Sequence, residues 1–100
     1  MLDIKPYEGK VSKICNELHL KKLDLFGSAT NDNFGAGSDI DIIVEFAQKE
    51  NDNLFDRYFE LKERLRNVFH RSVDIIIEGS VRNPFLKESL NRTRKNIYVA

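Results

Sequence analysis

The chain has 100 residues, 41% hydrophobic and 32% charged, with 16 basic side chains balanced by 16 acidic ones. That is a globular rather than a disordered composition, and the length suits one domain over residues 1–100 with a modest core. Zero net charge argues against stand-alone nucleic-acid binding, which needs a basic surface to displace counterions. No apolar run approaches the ~20 residues of a membrane span, and "MLDIKPYEGK" has no apolar centre of a signal peptide, so a cytoplasmic location away from membranes is the default expectation.

Tyr7, Val11, Ile14 and Leu18 recur at helical spacing, and Pro6 suits the first turn, where its missing N–H would be unpaired anyway. Cys15 falls beside Ile14 in this stripe and reads as a buried thiol acting as a small hydrophobe. His19 and His70 fit no metal or catalytic motif and read as structural or surface residues. "KKLDLFGS" alternates Leu23 and Leu25 about Asp24, a short strand stopped by Gly27. "ATNDNFGAG" is a loop, and "DIDIIVEF" is a β-branched second strand. After a polar turn in which Asn53 can cap, Leu54, Tyr58, Leu61, Leu65 and Val68 mark a second amphipathic helix. "SVDIIIEG" gives a third strand from Val73 to a stop at Gly79. Pro84 opens a short third helix, and "IYVA" can close the chain as a small strand. The basic clusters "KERLRNVFHR" and "KESLNRTRK" are interrupted by acids and read as solvated helix faces.

The order α-β-β-α-β-α implies an α/β (α+β) fold, a single mixed β-sheet covered by helices on one face. The Gly-rich loop permits a hairpin, whereas the excursion through the second helix permits a parallel crossover.

"LFGSATNDNFGAGSDIDIIVEF" holds the chemistry. Side chains alternate along a strand, so Asp39 and Asp41 project from one side while Ile40 and Ile42 face the other, toward the helices. Asp74 sits as early in its strand as Asp39 and Asp41 do in theirs. If these strands pair side by side, three carboxylates converge, at a cost on the order of several kcal/mol of repulsion at an effective dielectric of ~20. A divalent cation removes that cost, and an all-oxygen set suits Mg²⁺, which completes its shell with water and phosphates. Two ions sharing a carboxylate pair would stabilise the attacking and leaving oxygens of phosphoryl transfer. Gly27 lets backbone approach a phosphate closely, and the amides after it, with the Ser28 hydroxyl, can donate to phosphate oxygens. A helix beginning after Ser28 would add its dipole.

The same stretch resembles the G-S-x10-D-x-D signature of the DNA polymerase beta-like nucleotidyltransferase superfamily. "RSVDIII" is similar to the strand that carries its third carboxylate. The whole chain resembles the minimal nucleotidyltransferase (MNT) proteins, down to the "VRNPFLKESLNRTRKNIY" tail. The resemblance implies the polymerase beta-like nucleotidyltransferase fold, two Mg²⁺ ions, and transfer of a nucleoside monophosphate from a triphosphate to a hydroxyl. By position it makes Gly27 and Ser28 triphosphate contacts, Asp39 and Asp41 ligands of both metals, and Asp74 a ligand of the catalytic metal that helps activate the acceptor. Many such proteins act as antitoxins beside a HEPN-family partner, some by adenylylating its tyrosine. Many relatives also have an Arg where this chain has Asn31, which is neither charged nor bidentate toward phosphate; Arg71 and Arg82 are candidates, on position alone, for a replacement cation.

The expectation is therefore an Mg²⁺-dependent enzyme transferring AMP from ATP to a hydroxyl of a HEPN-family partner, an antitoxin role. The alternatives are a binding module that neutralises its partner sterically over a vestigial site, and a small-molecule (antibiotic) nucleotidyltransferase. Phe85, Leu86 and Leu90 on the third helix would either pack on the sheet or dock a partner. The base, the acceptor and whether the chain forms a homo-oligomer are left open by the sequence.

Overall fold

The computed structural model describes residues 2–30, 34, 35, 37–47 and 53–100, with Ser28 described by its backbone alone. In chain order the elements are α1 (Glu8–Glu17), β1 (Leu20–Phe26), β2 (Ile40–Phe46), α2 (Leu54–Phe69), β3 (Val73–Ile77), α3 (Pro84–Thr93) and β4 (Lys95–Val99). Short 3-10 turns at Lys5–Tyr7 and Gly27–Thr30 precede α1 and follow β1. Pro6 lies in the first of these turns, and the α-helix proper starts just after it. Among the described residues no helix is long and apolar enough to cross a membrane.

The sheet is mixed, in the order β3-β2-β1-β4. The Gly-rich connection gives an antiparallel β1–β2 pair with Phe26 opposite Asp41, and the α2 excursion gives a parallel β2–β3 pair with Ile40 opposite Val73 and Asp41 opposite Asp74. The final segment is a full edge strand, antiparallel to β1.

Alternation then sorts the two faces. Leu23, Leu25, Ile40, Ile42, Val44 and Val73 form one buried surface with Val11, Ile14 and Cys15 of α1 and Leu61, Leu65 and Phe69 of α2. Ile43, between Ile42 and Val44, belongs to the opposite face; it is buried too, as is Leu90 of α3 beside it. Two helices thus cover the core face as expected, and α3 lies across part of the other, the face that carries Asp41 and Asp74.

Helix ends are fixed by local chemistry. Asn53 accepts from the Phe55 and Asp56 amides, and Asn83 accepts from those of Phe85 and Leu86, so both act as N-caps. His19 and His70 have φ of 55°, left-handed residues that end α1 and α2 where glycine is common. Both histidines, read as structural or surface residues, are exposed and occupy these helix-ending positions, a role the sequence did not show.

The buried stripe of α2 is Arg57, Leu61, Leu65 and Phe69, at spacings of four, so it is rotated slightly from the expected one: Leu54 is exposed and Val68 only half-buried. Arg57 occupies the stripe because its guanidinium donates to the carbonyls of Leu18 (2.8 Å), His19 and Ala47 (3.1 Å) and lies over the Phe46 ring. It closes the C-terminal end of α1, where carbonyls lack helical partners and the dipole favours a cation. Arg57→Met should keep the aliphatic packing but remove the guanidinium from these carbonyls, of which that of His19 still accepts the Ala47 N–H at 2.9 Å. The expected loss in urea denaturation is about 2–4 kcal/mol, with Arg57→Lys restoring only part of it.

Candidate active site

The carboxylates meet because β2 and β3 run parallel with Asp41 opposite Asp74. Asp39 is exposed, one residue before β2; Asp41 is half-buried, and Asp74 is exposed at the start of β3. The Asp41 carboxyl titrates above the usual carboxylate range. Burial is the largest cause; repulsion from Asp74 and then from Asp39 adds to it, and a proton held there can be shared with Asp74. Asp41 and Asp74 are therefore neighbours, with Asp39 close enough for its charge to be felt. Among the described residues no ion pair reaches any of them, and no group of three or more carboxylate, thiol or imidazole side chains is placed to hold a metal ion: Asp41 and Asp74 pair, but the three-carboxylate cluster expected from the sequence is not formed. An oxygen-only set with a crowded central carboxylate fits Mg²⁺, which takes one or two protein carboxylates and leaves the remaining positions to water and phosphate.

Gly27 stands against this group from the β1 side. Its φ is +67°, and a Cβ built on it would lie 3.1 Å from Asp41 Oδ2. Both facts favour glycine: an L side chain is strained at that φ, and a methyl would press on the carboxylate unless Asp41 shifted by a few tenths of an ångström. Here the backbone leaves β1 and passes directly beside Asp41 into the 3-10 turn Gly27–Thr30, a short turn in place of the helix that the sequence allows after Ser28. The Thr30 hydroxyl donates to the Gly27 carbonyl at 2.9 Å, and the Gly27 N–H donates to Thr93 Oγ1 at 3.0 Å. Ser28 lies in the turn by its backbone; its hydroxyl, and all of Asn31, lie outside what the structure describes.

Several supporting roles escaped the sequence reading. Arg71 donates to the carbonyls of Gly35 (2.6 Å) and Ser38 (2.9 Å) and lies over the Phe34 ring, bracing the loop that delivers Asp39. It is thus engaged by that loop; Arg82 is exposed. Asp24, 3% exposed, is held by Arg94 at 2.7 Å and by Asn96 at 2.7 Å, while Arg94 also reaches Glu78 at 2.6 Å. The arginine lowers the Glu78 pKa. In the sequence Asp24 was only the polar member of an alternating strand, and its burial depends on an arginine 70 residues away. Cys15 is fully buried and its pKa is pushed up to about 12, so the thiol is inert, as read. The apolar patch on α3 divides: Leu90 packs, whereas Phe85 and Leu86 are exposed.

A model of the nucleotidyltransferase domain matches residues 9–97. The chain belongs to the nucleotidyltransferase domain family. This nucleotidyltransferase is similar to a Methanocaldococcus jannaschii protein named "putative protein adenylyltransferase", 34% identical over 89 residues that cover 88% of each chain. A chain in a crystal structure of a toxin-antitoxin with AMP-PNP is 26% identical, with a TM-score of 0.71 over 94% of this chain and 74% of that one. The same fold occurs in a complex of the tri-AMPylated HEPN toxin of Shewanella oneidensis with an MNT antitoxin, at 24% identity and a TM-score of 0.65 over 98% of this chain and 74% of that one. The family and fold implied by the Gly-Ser and Asp-x-Asp motif are therefore shown, and with them an enzyme of nucleotidyl transfer.

The crowding at Asp41 has a measurable sign. Its folded pKa is raised, so without metal the ionised carboxylate opposes folding above that pKa, and the penalty fades as pH falls through it. Asp41→Asn should therefore raise the metal-free melting temperature at neutral pH by roughly 2–4 °C, a small gain because water screens a half-buried group. The gain should shrink as pH falls through the acidic range and the wild-type carboxyl takes up its proton. Thermal unfolding in EDTA across that pH range checks both.

Proposed function

We propose that the chain transfers AMP from ATP to a hydroxyl on a partner protein, with Asp39, Asp41 and Asp74 as the catalytic carboxylates and Gly27 and Ser28 as triphosphate contacts. The observation that carries the reading is the adjacency of Asp41, Asp74 and the glycine turn. Asp39 and Asp41 would hold two Mg²⁺ ions, and Asp74 would hold the catalytic one. When bound, the ions neutralise the carboxylates and the charge that builds on the phosphoryl oxygens.

The protein's own part is placement. The open backbone at Gly27 lets phosphate oxygens approach Asp41 without a side chain between them. Asp74, exposed at the rim, faces the acceptor and takes up its hydroxyl proton. The acceptor oxygen bonds to the α-phosphorus, the bond between that phosphorus and the α,β-bridging oxygen breaks, and pyrophosphate leaves. Most of the rate comes from holding the reactants in line and from charge complementarity.

The acceptor we infer is a tyrosine of a HEPN-family toxin encoded nearby, which makes this chain an antitoxin. Support comes from the adenylyltransferase name of the relative, from AMP-PNP in one structural neighbour, and from the AMPylated HEPN toxin in another. Incubation with Mg²⁺ and ATP should move label from the α-phosphate, not the γ-phosphate, onto the neighbour-encoded protein. Asp39→Asn and Asp74→Asn should each reduce that transfer about 100-fold or more. Neutralisation of the partner that survives Asp39→Asn and Asp41→Asn together would instead make the chain a steric binder, and label on an added aminoglycoside would make it an antibiotic-modifying enzyme.

A further inference from the structure

The tail of the chain touches the glycine turn through one side chain. Thr93, the last residue of α3, accepts the Gly27 N–H on its Oγ1 at 3.0 Å, across 66 residues of sequence. The same hydroxyl is within reach of the α3 carbonyls of Leu90 (3.3 Å) and Ser89 (3.5 Å). Its proton is thus turned back into its own helix, which leaves a lone pair for Gly27. The next residue, Arg94, ties the tail to buried Asp24 of β1 and to Glu78 beyond β3, so the position of Thr93 is set from both sides.

We infer that Thr93 is a positioning residue for nucleotide binding. It holds the Gly27 peptide in its left-handed conformation, with the N–H directed to α3 and the following amides left to the triphosphate. The argument rests on the proposed reading that this turn meets the triphosphate. A swing of the Gly27 peptide would alter both the approach beside Asp41 and the direction of the turn's amides, because these share one backbone segment. Threonine suits the task because its branched Cβ stiffens χ1, and valine has the same shape without the acceptor.

The test compares Thr93→Val and Thr93→Ser with wild type. Affinity for the magnesium complex of AMP-PNP is read by calorimetry, KM for ATP and kcat by label transfer, and amide hydrogen exchange at Gly27 by NMR. Thr93→Val should weaken the analogue and raise KM for ATP about tenfold, the size of one lost hydrogen bond, with kcat little changed. Exchange at Gly27 should accelerate without matching changes along the rest of β1, and Thr93→Ser should restore both readouts.

Unchanged affinity in Thr93→Val, with wild type binding normally, would overturn the positioning role alone. Exchange that accelerates across β1 and α3 together would also overturn it, because that is the pattern of general loosening. Wild type that fails to bind the analogue while Gly27 remains protected by Thr93 would overturn the nucleotide reading itself, and with it this role.

Discussion

The parallel pairing of β2 with β3 is the constraint on which the rest depends. It sets Asp41 beside Asp74 and, by alternation, points Ile40, Ile42 and Val73 into the core on the other side. A shift by one residue would bury the acids and expose the isoleucines, so the hydrophobic core holds the carboxylates together against their repulsion. The raised pKa of Asp41 comes first from burial and then from the nearby charges of Asp74 and Asp39, so only part of it reflects that opposition. Repulsion stored in this way costs the fold stability, and under the proposed function a bound cation would relieve it.

A second set of interactions delivers the remaining parts from the flanks. Arg71 fastens the loop that leads to Asp39, and Arg57 closes α1 against the crossover helix. Arg94 neutralises Asp24, which shares the sheet face with Asp41 and would otherwise add a further negative charge there. Each guanidinium does more than pair with a charge: its fork of donors spans groups from two segments, a geometry an ammonium does not reproduce. The acidic side of the sheet is thus divided into a neutralised half near β4 and a charged half near β3.

The elements and pairing directions were legible in the sequence because they rest on local signals: periodicity, Asn caps, a Gly-rich loop and a long crossover. The candidate site could be proposed from spacing, because Gly27, Asp39, Asp41 and Asp74 all lie at or beside strand ends where alternation fixes direction. What stayed hidden was long-range polar chemistry. Arg57 looks like a surface residue of an amphipathic helix, and only the folded chain shows the carbonyl ends of α1 waiting for it. Asp24 looks solvated until Arg94 and Asn96 arrive from the far end of the chain. The left-handed conformations of His19 and His70 are likewise set by helix ends that only the fold defines.

The most direct measurement uses paramagnetic Mn²⁺ as the probe, added with AMP-PNP to isotopically labelled protein, and reads which backbone amides broaden first. The account requires the earliest losses at Gly27, Asp41 and Asp74, three positions far apart in sequence, with the amides of α1 still sharp. Broadening centred on another part of the surface, with those three signals intact, would contradict it.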